Sequence, residues 1–249
     1  MYSRSEYLFE ACVDSVADAI AAEASGVDRI ELCGALSEGG LTPPLSLAEE
    51  VVKRVSIPVH IMIRPRSGDF YYTDEEYRLM IADVHHAKSA GAAGVVVGLL
   101  LTDGSIDIER SAQLMTAARP LKVVFHRAFD MTADPFLALE EIVGLGADAI
   151  LTSGHRQAAE DGLDLIKELI KRAHQRVQIV AGGGINSGNV KLLAGAGVRN
   201  FHFTVRMQTD SPMHYRNDVL NGMGSRSGTE YIRYIYDKDK VSGIMDALS

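Results

Sequence analysis

The chain has 249 residues, 47% of them hydrophobic, enough for a substantial core and within the size of one large (β/α) domain. Its formal net charge of −8, with acidic and basic residues interleaved, argues against nucleic acid or an anionic membrane as partner. No apolar run approaches the roughly 20 residues that span a bilayer, MYSRSEYLFEA lacks the apolar core of a signal peptide, and two cysteines make no disulfide framework, so the expected setting is the reducing cytoplasm.

In chain order, the first expected strand is Leu8–Val13, followed by Asp14 as cap of a helix over Ser15–Ser25. A repeated pattern then sets in: a helix-period stretch ends at glycine, a small or acidic residue follows, and a short β-branched run begins. It occurs at Gly26-Val27-Asp28-Arg29-Ile30-Glu31, Gly91-Ala92-Ala93-Gly94-Val95-Val96-Val97, Gly146-Ala147-Asp148-Ala149-Ile150-Leu151 and Gly197-Val198-Arg199-Asn200-Phe201-His202. Further strands are expected at Val59–Arg64, Val123–Phe129 and Gln178–Ala181, giving eight in all. Asp74 is placed to cap a helix over Glu75–Ala90, Asp107 and Asp134 to cap two more, and Pro135 fits a first helical position. Eight strands alternating with helices predict an α/β fold, a (β/α)8 TIM barrel, as a single domain over residues 1–249. An open doubly wound sheet would need a switch point that the pattern does not offer. After the eighth strand, residues 206–233 form a long polar extension, a lid or an oligomer arm, ahead of a last helix at Lys238–Leu248.

Strand ends of a barrel converge on one face, so their polar residues are read together. Leu121–Asp130 runs from apolar residues straight into His126, Arg127 and Asp130. The other ends offer Glu10 and Cys12, Glu31 and Cys33, Arg64 with Arg66 and Asp69, Thr152-Ser153-Gly154, Gly182-Gly183-Gly184, and His202 with Thr204. Alternation puts Glu10 with Cys12, and Glu31 with Cys33, on one strand face. A structural ion-pair network, with arginines neutralising Glu10, Glu31 and Asp130, accounts for some of these charges; a ligand site accounts for their concentration on one rim. The Gly182–Gly184 turn, leading to Asn186 and Ser187, suits either an anion site or a tight turn. Cys12 and Cys33 hold equivalent places on adjacent strands: they read either as small buried hydrophobes or as a soft-ion site with Met62 or Met131 as thioether helpers.

Phe9-Glu10-Ala11-Cys12-Val13-Asp14-Ser15, Asp28-Arg29-Ile30-Glu31-Leu32-Cys33 and Ser37-Glu38-Gly39-Gly40-Leu41-Thr42-Pro43 resemble the copper homeostasis protein CutC family. So do Ile63-Arg64-Pro65-Arg66-Ser67-Gly68-Asp69-Phe70, Phe125-His126-Arg127-Ala128-Phe129-Asp130 and Leu151-Thr152-Ser153-Gly154, a resemblance running from Phe9 through the eighth strand and into the tail. It implies a (β/α)8 barrel, a cytosolic homo-oligomer (dimer or tetramer), and a Cu(I)-binding role in copper homeostasis with Cys12 and Cys33 as metal ligands. The chain departs from the family pattern at Ser67, where Gly is usual, and at Phe203-Thr204-Val205, where small residues are common.

Two functional expectations follow. One is a Cu(I)-binding homeostasis protein using Cys12 and Cys33. The other is a barrel enzyme acting on a small anionic substrate, phosphorylated or sugar-like. In the second, His126 is the acid/base, oriented by Glu10, Glu31 or Asp130, and Arg64, Arg66, Asp69, Arg127, Ser153, Gly183, Gly184 and His202 bind ligand.

Overall fold

The computed structural model describes residues 6–217, 219, 223 and 228–248. Eight parallel strands close into a barrel in sequence order: β1 (Leu8–Val13), β2 (Arg29–Leu32), β3 (Val59–Met62), β4 (Gly94–Val97), β5 (Lys122–Phe125), β6 (Ala149–Thr152), β7 (Gln178–Gly182) and β8 (Asn200–Phe203), with β1 paired to both β2 and β8. Among the described residues, seven α-helices lie between the strands: α1 (Val16–Ala24), α2 (Leu45–Arg54), α3 (Asp74–Ser89), α4 (Ile108–Ala118), α5 (Pro135–Leu145), α6 (Leu163–Ala173) and α7 (Val190–Gly195). This is the (β/α)8 barrel expected from the alternating pattern.

The period-2 alternation of the strands divides the apolar residues into two layers. Phe9, Ile30, Ile61, Val95, Phe125 and Phe201 face outward beneath the helices, in a core that is essentially solvent-free. The rings of Phe9 and Phe201 stack at 5.7 Å across the closing β1–β8 pair. Each such side chain contributes roughly 1.5–3 kcal/mol by its burial. A smaller inner layer of Cys12, Cys33, Met62, Val96, Val124, Leu151 and Val180 fills the lumen. Gly26, Gly91, Gly146 and Gly197 all adopt positive φ, so the glycine that punctuates each repeat is the left-handed residue that lets a helix turn into the next strand.

Several boundaries differ from the sequence expectation. The strands expected to reach Arg64 and Phe129 stop at Met62 and Phe125, and Arg127–Met131 forms a short 3-10 helix instead. The reason is local: His126 Nδ1 accepts the backbone N–H of Ala128 at 3.1 Å and caps that turn. Asp107 and Asp134 cap α4 and α5 as expected, with Pro135 at the first position. Asp74 and Asp14 are not caps. Thr73 and Glu76 form a reciprocal capping box at α3, leaving Asp74 free to pair with Arg110. Ser15 caps α1 by accepting from Asp18 N, while Asp14 pairs with Arg206 at 3.2 Å.

The extension after β8 is not structureless. β9 (Arg206–Asp210) and β10 (Ile232–Tyr236) pair antiparallel, followed by α8 (Lys238–Asp246), which ends two residues short of Leu248. Tyr236 is buried against the barrel and donates its N–H to Asp18 Oδ1 at 3.1 Å. Within the extension, residues 218, 220–222 and 224–227 lie outside the described residues. Met207, Met213, Tyr215 and Met223 are exposed. Replacing Thr73 with Ala should remove the capping box and lower stability by about 1 kcal/mol in urea denaturation, with the barrel intact by circular dichroism.

Candidate functional site

The lumen of this barrel carries charge where such barrels usually carry packed aliphatics. Glu10 on β1, only 1% exposed, accepts a hydrogen bond from Arg29 Nε on β2 and a 2.8 Å hydrogen bond from His202 Nδ1 on β8. His60 Nδ1 on β3 lies 3.9 Å away. Burial alone would raise the Glu10 pKa, but Arg29 and His202 outweigh it and hold the carboxyl well below its usual range. His202 is the reciprocal case: burial disfavours its charge, yet Glu31, Cys12 and Glu10 keep the imidazole protonated well above its ordinary value.

Above this knot, towards the strand ends, lie the thiols. Cys12 Sγ and Cys33 Sγ are 3.6 Å apart, and each contacts Glu31 Oε1, at 3.5 and 3.4 Å. The register explains the meeting: Cys12 stands opposite Glu31 in the β1–β2 ladder, and Cys33 follows two residues on, on the same face. Both cysteines are buried and free. Burial pushes the Glu31 carboxyl up to about 8. A hydrogen bond from Cys33, opposed by burial and helped by the His202 cation, brings the Cys12 thiol down to about 5. That same bond, with burial, drives Cys33 well up. The result is one sulfur biased towards its thiolate, beside a thiol that keeps its proton and the buried Glu31 carboxyl. Cys12, Glu31 and Cys33 can together hold a metal ion, as can Glu10, Glu31 and His202.

A cavity of about 270 Å³ opens over the thiols at the carboxyl ends of the strands. Cys12, Glu31, Met62 and His202 are at its walls, with Arg64, Phe70 and His126 on one side and Arg127, Gly183 and Gly184 on another. His126 is held by its strand end and by a neighbour without a side chain: a Cβ on Gly98 would lie 2.4 Å from its ring, so only glycine leaves room for it. The ring is 5.0 Å from Phe70. Burial and Arg64 push its pKa down to about 3, leaving it neutral. Because Nδ1 accepts the Ala128 N–H, the proton resides on Nε2, which is buried with no hydrogen-bond partner.

The remaining sequence-designated residues divide between cavity and scaffold. Asp130 does not orient His126. It accepts from Arg127 Nε at 2.7 Å, Thr152 Oγ1 at 2.5 Å, Ser153 Oγ at 2.9 Å and the backbone N–H groups of Ser153 and His155, leaving no capacity for chemistry. Ser153 bridges Asp130 and Arg127 beneath the wall. Arg64 donates to the carbonyls of Glu38, Gly40 and Gly68, packs over Phe70 and also engages the buried Tyr72 hydroxyl. Arg66 and Asp69 are not at the cavity: Arg66 is spent on Asp69, Glu76 and the Tyr71 carbonyl, and Asp69 is largely exposed. Met131 is also outside, 64% exposed, because the short helix at Arg127–Met131 turns it to solvent. The glycine turn does not open directly into a helix; α7 starts at Val190, and Asn189 Oδ1 is occupied by Asn186 N.

His60 and Phe70 were missed at the level of sequence. His60 shares a strand face with Met62 and Arg64, so alternation could have placed it in the lumen. Phe70 lies in the irregular stretch after β3, which no periodicity places.

Strand-end thiols, a buried acid and a cationic wall line one cavity of a (β/α)8 barrel protein, at the face where such barrels carry their sites. The CutC family model matches residues 7–207. A human protein named copper homeostasis protein cutC homolog is 48% identical over 236 residues, 94% of this chain and 86% of its own length. A CutC family protein of Salmonella paratyphi B is 44% identical over 227 residues, 91% of each chain. The crystal structure of a Streptococcus agalactiae protein assigned as copper homeostasis protein CutC superposes with a TM-score of 0.75 at 32% identity, covering 79% of this chain and 97% of that one. The chain belongs to the CutC family.

Two outcomes test the electrostatics. Arg29→Met leaves Glu10 buried and without its main counter-charge, and should cost about 3–5 kcal/mol in urea denaturation at pH 7. His60 is held neutral by burial, its pKa lowered from 6.5 to about 4. In that window the unfolded chain binds a proton that the native state refuses, so stability falls as pH drops from 6.5 towards 4, and His126 adds slope of the same sign. His60→Gln should flatten that fall, read from urea midpoints across the same range.

Proposed function

We propose that the protein binds Cu(I) as cargo at Cys12 and Cys33, in the service of copper homeostasis. The observation that carries this reading is the 3.6 Å approach of two free, buried sulfurs that share one carboxyl oxygen of Glu31. Two sulfurs and few other donors suit a soft monovalent ion better than a hard one. Met62 lines the same cavity and supplies a thioether within the same group of side chains. The names of the human relative and of the Streptococcus agalactiae structure point the same way.

In this reading the His202 cation stabilises the thiolate of Cys12, and ion binding displaces the proton that Cys33 retains. The working compartment is the cytosol, where both thiols stay reduced. Among the described residues, no helix is long and apolar enough to cross a membrane.

Anaerobic Cu(I) titration against a competing chelator should show one ion bound per chain, with proton release. Cys12→Ser/Cys33→Ser should weaken binding by more than the roughly 100-fold that changes around a site can cause without touching its ligands. Weak binding, or binding indifferent to both cysteines, would overturn the assignment.

A further inference from the structure

A metal site at the thiols leaves the other half of the cavity unused. Two buried polar atoms of residues that line it have no hydrogen-bond partner: Nε2 of His126 and Oε2 of Glu31. His126 is 3% exposed and Glu31 2% exposed, so neither has solvent as a substitute. Buried donors are rarely left unsatisfied, because each such group costs roughly 1–3 kcal/mol. The first of the two atoms is an N–H donor, since the His126 proton is fixed on Nε2 by the Ala128 N–H on the opposite nitrogen. Arg64 and His126 are held together by Phe70, which lies 4.9 Å from the Arg64 guanidinium and 5.0 Å from the His126 ring.

The facing wall adds a further cation. Arg127 commits Nε and Nη2 to Asp130, Ser153 and the Arg156 carbonyl, which turns the remaining corner, Nη1, towards Gly183 in the cavity wall. A Cβ on Gly183 would lie 3.4 Å from that Nη1 and 3.2 Å from Ser153 Cβ, so the bare glycine keeps this wall open. The lining is thus rich in donors and in positive charge, and it holds a single carboxyl, that of Glu31.

We infer that the cavity over the thiols is a site for a small oxyanion-bearing molecule, a carboxylate or a phosphate ester, whose acidic group is held by Nε2 of His126 and the guanidinium of Arg127, beside the Arg64 cation in the same lining. The volume, about 270 Å³, is below the roughly 300–1,000 Å³ of pockets for drug-sized ligands, which restricts the occupant to a small metabolite. His126 acts in this site as a neutral hydrogen-bond donor and not as a general base, because its Nδ1 is occupied and its charge is disfavoured. The site does not depend on the metal reading: neither of its donor residues is a thiol.

The test is calorimetric titration of the metal-free full chain with inorganic phosphate, glycerol 3-phosphate and malonate, on wild type, His126→Asn and Cys12→Ser/Cys33→Ser. Asn at position 126 keeps an acceptor for the Ala128 N–H while removing the Nε2 donor. Binding of at least one probe, weakened about tenfold or more in His126→Asn and retained in the double cysteine variant, is the expected result. Preference for the phosphates or for malonate assigns the acidic group; either preference supports the site. No binding by any probe, or equal binding in His126→Asn, overturns it. Should His126→Asn fail to fold, a crystal of the wild type soaked in selenate decides: anomalous density beside His126 and Arg64 supports the site, and density elsewhere or none overturns it. Failure of the Cu(I) titration leaves this result unaffected, so the two readings fall separately.

Discussion

The ion knot at Glu10 is the constraint on which the rest of the lumen depends. A carboxylate that is 1% exposed is tolerable only with its charge matched, and here the match comes from neighbouring strands on both sides, Arg29 of β2 and His202 of β8. These are the two pairings of β1, including the one that closes the barrel. His202 then extends the influence upward: its Nδ1 serves Glu10 while its Nε2 lies 4.0 Å from Glu31, the acid shared by both thiols. The ion network and the thiol pair are one connected system.

This arrangement explains why the thiols differ although their backbone surroundings are alike. Cys12 accepts the hydrogen bond from Cys33 and, on the strand that carries Glu10 and next to the one that carries His202, also feels the imidazolium; Cys33 lies deeper, with 0% exposure, and feels mainly Cys12 and its own burial. The strand order contributes to this asymmetry, which biases Cys12 towards the thiolate and Cys33 towards the thiol.

Much of the fold was legible because two periodicities and one punctuation mark repeat. Glycine after four of the helices and short β-branched runs place all eight strands, with errors confined to their ends. Those errors have a common origin: side chains that satisfy backbone groups, such as His126 on Ala128 N and Thr73 on Glu76 N, terminate or start elements in ways composition does not reveal. The rim was legible in its membership and not in its wiring. Alternation identified Glu10, Cys12, Glu31 and Cys33 as neighbours, but strand-end order alone could not show that Asp130 is consumed by Thr152 and Ser153, or that Arg66 is drawn off by Glu76. Those partners come from the end of β6, the loop after it and α3, whose placement only the folded chain determines.

The alternation of β1, β2 and β3 carries a further implication, for how the chain avoids mispairing. A slip of one residue in any of these strands would turn Glu10, Glu31 or His60 outward into the oily layer beneath the helices, and would bring Phe9, Ile30 or Ile61 into the lumen. Parallel strands this short are otherwise poorly distinguished from their shifted versions, since both faces are buried and both tolerate apolar side chains. The charges inside the barrel therefore act as a register key: the same atoms that assemble the thiol site reject the misaligned barrel. Replacing Glu10, Arg29 or His202 singly leaves a buried charge of the group unmatched.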